Sequence, residues 1–333
     1  MKKNLFKEVT LMNALLCLWV VAIHLTSAPL EAYGVESWQY VSAFYVNKAL
    51  GFCVPAFLFL SGLKLYAGYC DRKINLPKFW WGRCRKILIP YIVATLVYFL
   101  CFYFKKSVLI KDLPKHLLMG SLVVHLYYII IAVQCYLAFP LLKIAFKKFP
   151  ITVIILSAIS TVVFNQFVYF PYRDRFIGTY LLYFVLGMAF AKYKINEKAF
   201  GFHAIVGAIA IVVGMIHIQY LYAAYTIGFI YKGANLVNIL YVILAIWAVY
   251  GICLKASQVK WIDKAGGILS DVSYSVYLYH FVAIFALQYY IYPKFNISHS
   301  QQFWISVGGV YGLIIIYAVL NHYIKQVITK NPS

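Results

Sequence analysis

Apolar runs long enough to cross a membrane follow one another along almost the whole chain. A spanning helix needs about 20 largely apolar residues. Such runs read at Val9–Ala28, Tyr40–Tyr66, Ile87–Phe104, Val124–Phe146, Ile151–Phe170, Ile177–Tyr193, Phe202–Tyr222, Leu236–Leu254, Ile268–Tyr292 and Phe303–Ile324. Lipid offers no partner for backbone N–H and C=O groups, so only helices and closed barrels span it. Barrel strands are about 10 residues long and alternate in polarity; these runs are longer and continuously apolar. The pattern predicts an all-α, polytopic membrane bundle of about ten transmembrane helices. Charged residues make up only 12% of the 333, against roughly 25% in a soluble domain. A single transmembrane domain over residues 1–333, with no separate soluble domain, is therefore expected.

The formal charge is +21, from 30 Lys and Arg against 9 Asp and Glu. In a soluble chain that excess would point to nucleic acid. Here the basic residues fall between apolar runs and carry topology instead, so the expected partner is the bilayer and not nucleic acid. With both termini cytoplasmic, the inner segments hold 21 of the 30 cations, including Lys2, Lys3, Lys7, Arg83, Arg85, Lys86 and Lys198. The outer segments hold 9, including Lys105, Lys106, Lys111, Lys115 and Lys232. The bias favours that orientation, although the cluster from Lys105 to Lys115 runs against it. Lys2, Lys3 and Lys7 before an apolar run imitate a signal peptide, with Thr26-Ser27-Ala28 as a poor cleavage site. Further spans follow at once, so this segment is kept as the first transmembrane helix. Loops are short except Lys105–Leu122, where a short interfacial helix is expected, and Gly68–Lys86. The seven scattered cysteines form no C-x-x-C pair and read as small apolar residues, not as a disulfide or metal framework.

Ionisable groups within spans are costly and point to function by default. His24 lies late in the first run. Asn13, Cys17, Val20 and His24 share one helix face, because eleven steps of about 100° return within about 20° of the start. Two readings stand for this stripe: a path toward a working imidazole, or an interfacial histidine bonded to a neighbouring helix. Arg83-Cys84-Arg85-Lys86 precedes Ile89-Pro90-Tyr91. These cations suit a phosphorylated cofactor or a plain positive-inside anchor. In Val54-Pro55-Ala56-Phe57-Leu58-Phe59-Leu60-Ser61-Gly62, Pro55 can kink the helix and Ser61 and Gly62 permit close helix contact. Ser273, Tyr277 and His280 share a polar face in the ninth run, with His280 near mid-membrane. His280 is as readily a satisfied buried ring as a working one. His125 and His217 read as interfacial residues near the outer rim. No metal-ligand cluster, Gly-rich phosphate loop or Ser-His-Asp order stands out.

Taken in order, these segments resemble the acyltransferase-3 family of integral membrane acyltransferases. The late histidine of helix 1, the Val-Pro-x-Phe-x-Phe-x-Ser-Gly run, the basic cluster before Ile-Pro-Tyr, and Ser273-Tyr274-x-x-Tyr277-x-x-His280 occur in the family's sequence. His125-Leu126-Tyr127-Tyr128 through Phe139-Pro140-Leu141-Leu142 resembles its fourth helix, and Tyr183-Phe184-Val185-Leu186-Gly187 its sixth. The resemblance implies transfer of an acyl group, chiefly acetyl with succinyl as an alternative, from cytoplasmic acyl-CoA to a hydroxyl of an envelope carbohydrate or lipid-linked glycan. It implies a bacterial plasma membrane location and no metal. It makes His24 the general base, and Arg83, Arg85 and Lys86 the holders of the CoA phosphates. Asn13 stands where the family usually has arginine, eleven positions before the histidine, on the presumed donor path. His280-Phe281 stands where the family often has His-Pro. Ser61, Tyr277 and His280 are carried as substrate-contacting or structural residues, and Glu31 and Glu36 as candidates to orient His24. A transporter or flippase, or a non-catalytic partner in glycan export, is the alternative reading.

Overall fold

The computed structural model describes residues 6–195, 200–228 and 233–330. Lys2, Lys3, Lys198 and Lys232, counted above for topology, lie outside the described residues. Thirteen α-helices follow in order: α1 (Lys7–Ala32), α2 (Trp38–Ala49), α3 (Cys53–Tyr69), α4 (Leu76–Arg83), α5 (Ile89–Phe104), α6 (Leu113–Met119), α7 (Tyr127–Lys148), α8 (Pro150–Gln166), α9 (Leu181–Lys192), α10 (Phe200–Ile227), α11 (Ala234–Ala256), α12 (Lys260–Ala286) and α13 (His299–Lys330). There is no strand among the described residues. The molecule is an all-α polytopic membrane bundle, as the apolar runs predict.

Among the described residues, eight segments are long and apolar enough to cross a bilayer, and two shorter apolar helices are Pro150–Gln166 and Leu181–Lys192. At 17 and 12 residues, they rise only about 25 and 18 Å, short of a core about 30 Å thick. The run Ile177–Tyr193 is shortened because Ile177–Thr179 forms a separate 3-10 turn before α9 begins. The long loop at 105–122 carries the expected short helix, α6. The loop expected over Gly68–Lys86 is instead largely α4. Its start was legible: the Asn75 side chain caps the helix by accepting from the Lys78 N–H at 3.1 Å, with Pro77 in the first turn.

The chain divides into two compact units, one of Val54–Lys198 and one of Lys2–Cys53 with Ala199–Ser333. In the first, α3 and α9 cross backbone to backbone. A Cβ on Gly62 would sit 2.0 Å from the Phe184 carbonyl oxygen, and one on Gly187 would sit 1.9 Å from that of Phe59. Only glycine fits either position. Around the crossing, Phe59 packs edge-on against Phe190 and Phe139 stacks on Phe79. At the other end of α7, the Gln134 amide bridges the Arg175 carbonyl at 2.7 Å and the Ile177 N–H at 3.0 Å.

In the second unit α1 is the central element, packed by α2, α11, α12 and α13. Gly266 of α12 lets Leu11 of α1 approach. The ion pairs Lys7–Asp263 (2.7 Å) and Lys325–Asp271 (3.0 Å) tie α12 to α1 and α13. Both are partly exposed and so worth at most about 1 kcal/mol each. Helix α13 exposes Leu313, Ile315, Ile316, Leu320 and Ile324 along its length. An apolar surface of that extent belongs against lipid.

Candidate functional site

Helix α1 carries Asn13, Cys17, Val20 and His24 on the face turned to α12. Asn13 gives its amide hydrogens to Ser273 Oγ at 2.7 Å and Ser270 Oγ at 3.1 Å. The Cys17 thiol donates to the Ser273 carbonyl at 3.2 Å. Cys17 and Val20 are 4% and 2% exposed. Below His24, the stripe seen in the sequence is thus a seam closed by α12. In place of a cation, Asn13 supplies a neutral polar clasp for the buried Ser273 and the half-buried Ser270.

His24 is half-buried. Its ring lies 5.1 Å, centroid to centroid, from that of His280, tilted by 31°, and 5.9 Å edge-on from Phe281. His280 is buried. Its Nδ1 lies 3.0 Å from the Val276 carbonyl and 2.9 Å from the Tyr277 carbonyl. Carbonyls only accept, so Nδ1 carries the proton and the neutral ring keeps its lone pair on Nε2. The helix backbone thereby fixes the tautomer of His280. Tyr277 is buried one turn away, its ring 6.4 Å from the same imidazole. Glu31 and Glu36 are exposed and do not line the His24 cleft. The polar ring packed against His24 within its own unit is another histidine.

Backbone clasps hold His24 in place. The Asn47 amide of α2 donates to the Ile23 carbonyl at 2.8 Å and to Thr26 Oγ1 at 3.1 Å. Tyr311 of α13 donates to the Leu18 carbonyl at 2.9 Å. Beyond His24, toward the C-terminal end of α1, a small open cleft lies among α1, α12, α13 and the segment joining α12 to α13. His24 borders it, together with Tyr33, Gln288, His299, Gln302 and Ser306. Tyr292 braces its wall, donating to the Gln302 carbonyl at 2.8 Å and sharing a 2.6 Å hydrogen bond with Ser306. Sequence reasoning missed these groups, although a glutamine inside one apolar run, Gln288, and another just before the next, Gln302, were a visible signal.

The basic cluster sits in the other unit, where α4 passes into α5. Cys84–Leu88 forms one π-helical turn between them, so Arg83, Arg85 and Lys86 lie within one continuous helical run of 29 residues, Leu76–Phe104. Such turns recur at functional positions because the extra residue re-aims neighbouring side chains. The half-buried Arg83 guanidinium lies over the rings of Phe79 (5.3 Å) and Tyr136 (5.7 Å). The Tyr136 hydroxyl in turn bonds Ser61 Oγ at 3.2 Å. Ser61 therefore braces the platform under Arg83. Arg85 and Lys86 are exposed. A planar cation held over aromatic rings beside two free-standing ones suits a polyphosphate.

His125 and His217, expected near the outer rim, are buried within the protein, with rings 5.9 Å from Tyr98 and Tyr241 respectively. Aromatic packing from a neighbouring helix covers both, which helix order alone does not disclose. A buried carboxylate was also overlooked: Glu8 of α1 accepts from the Tyr250 hydroxyl at 3.2 Å.

Comparison with curated proteins and with solved structures returns no match. The family model for the acyltransferase domain of the acyltransferase-3 family matches residues 6–320. That stretch takes in His24, the basic cluster, the Gly62–Gly187 crossing, His280 and the cleft. The chain belongs to the acyltransferase-3 family and is a multi-pass membrane acyltransferase.

Proposed function

We propose that the protein moves an acyl group, acetyl first among the candidates, from cytoplasmic acyl-CoA to a hydroxyl of an envelope carbohydrate or lipid-linked glycan in a bacterial plasma membrane. The observation that carries this reading is the half-buried His24 at a cleft, its ring set against an imidazole of fixed tautomer. Arg83, Arg85 and Lys86 hold the CoA phosphates. Asn13 clasps α1 to α12 and keeps the His24 face in register.

His24 takes the proton of the acceptor hydroxyl as its oxygen attacks the thioester carbonyl. The C–S bond then breaks, the new ester leaves, and the CoA thiolate recovers the proton from His24. General-base assistance of this kind contributes about 10²- to 10⁴-fold. His280, its ring packed against that of His24, holds the first imidazole in its working orientation, as the third group of a triad does.

Purified protein incubated with labelled acetyl-CoA tests the reading. CoA release with label appearing in an envelope glycan fraction is expected. His24→Ala should lower transfer by about 10²-fold or more while leaving membrane insertion intact. Unaltered transfer in that variant would remove the assignment.

A further inference from the structure

The His24 cleft has a neighbour. An open apolar groove runs between α1, α2 and the start of α13, and it shares Pro29, Tyr33 and Phe303 with the cleft as a common wall. Its flanks are Trp38 and Trp304, exposed by 69% and 62%. Indole rings exposed near helix starts in a membrane protein mark the headgroup level. From Trp38 the groove follows α2 past Ser42 to Val46, about two turns or roughly 12 Å along the helix. One end of this composite site is therefore polar and touches His24, and the other is apolar and opens where acyl chains lie.

The polar end has a definite chemistry. Among the described residues, none of those lining the cleft or the groove is Asp, Glu, Lys or Arg. The cleft presents carboxamides (Gln288, Gln302), an imidazole (His299) and aromatic faces (Tyr33, Phe303). Hydroxyls of an uncharged sugar suit carboxamides and ring faces, whereas an anionic group would find no cation there. Gln288 reaches the cleft from Leu287–Ile291, a π-helical turn that ends α12. This second π turn lies at a mouth, where such turns re-aim side chains.

From the juxtaposition of the His24 cleft and the tryptophan-flanked groove we infer that the acceptor is a neutral glycolipid, its sugar head in the cleft and its aliphatic tail in the groove. This deepens the acyltransferase reading and rests on it for the role of His24, but its test does not require acyl transfer.

The probe is dodecyl β-glucoside carrying bromine on its tail, added to the full-length protein in nanodiscs without acyl-CoA. Bromine quenches tryptophan at short range, so tail binding should quench saturably. Replacing both flanking indoles (Trp38→Phe with Trp304→Phe) should remove most of that quenching. Val46→Phe, at an exposed position in the groove, should raise the midpoint by about tenfold. Unbrominated dodecyl β-glucoside should compete at least about tenfold better than either methyl β-glucoside or dodecanol. Equal competition by methyl β-glucoside would abolish the tail subsite, and equal competition by dodecanol would abolish the head subsite. Quenching that never saturates would overturn both. The competition series uses unmodified protein, so a poorly folding variant leaves the inference falsifiable. Labelled transfer from acetyl-CoA is scored separately, so failure of the acyltransferase reading is distinguishable from failure of this one.

Discussion

His24 is governed by its nearest ring neighbours. In the proposed reaction His280 acts through His24, against whose ring it packs, and makes no contact with substrate. His280→Gln keeps a hydrogen-bonding side chain but loses the fixed imidazole. It should lower kcat by about tenfold while acyl-CoA KM stays within about twofold, which steady-state kinetics would read. A merely structural role would instead lower the amount of folded enzyme and leave kcat per folded molecule unchanged. At the basic cluster the opposite split is expected. If Arg83 and Arg85 hold the CoA phosphates as proposed, replacing both by alanine should raise acyl-CoA KM by about tenfold or more. Isothermal titration with CoA alone would check this without turnover. The sequence disclosed His24 and the cations because charges and imidazoles stand out in apolar runs. It did not disclose the partner of His24. Glu31 and Glu36 are near it in sequence, but the packing of α12 on α1 brings His280 there from 256 residues away.

Element by element, the apolar runs predicted eight spans well, and two of the ten runs proved shorter as helices. Composition registers hydrophobicity but not where a 3-10 turn interrupts a run, as Ile177–Thr179 does before α9. The Val-Pro-x-Phe-x-Phe-x-Ser-Gly segment was read as a close-packing device, and Gly62 meets the Phe184 carbonyl in that way. What the sequence did not name was the partner, Gly187, because a glycine carries no mark of what it faces. Gly62→Ala and Gly187→Ala must each push two backbones apart. Each should destabilise by roughly 1–3 kcal/mol or more, seen as a lower midpoint in thermal unfolding of the detergent-solubilised protein. Glu8 is the comparable silent feature of α1. It was counted as one of the few acids, yet its hydrogen bond with Tyr250 is buried. Tyr250→Phe should cost about 1–3 kcal/mol by leaving that carboxyl without its donor.

For the whole molecule, the deficit of charge dictated a membrane bundle before any helix was placed. The exposed aliphatic rows of α13 agree with that. The acceptor inferred above was not legible in the sequence, since the inference rests on grooves assembled by α1, α2, α12 and α13 from residues that are individually ordinary. A consequence of the paired imidazoles appears in how the enzyme should respond to acid. A histidine backed by a carboxylate has one inactivating proton in the neutral range, and log kcat then falls with unit slope. Here two rings must both be uncharged, so the acid limb should begin with unit slope and steepen toward two as the second proton arrives. Removing the second ring as His280→Gln should return that limb to unit slope, a change in curvature that no simple loss of folded protein can imitate.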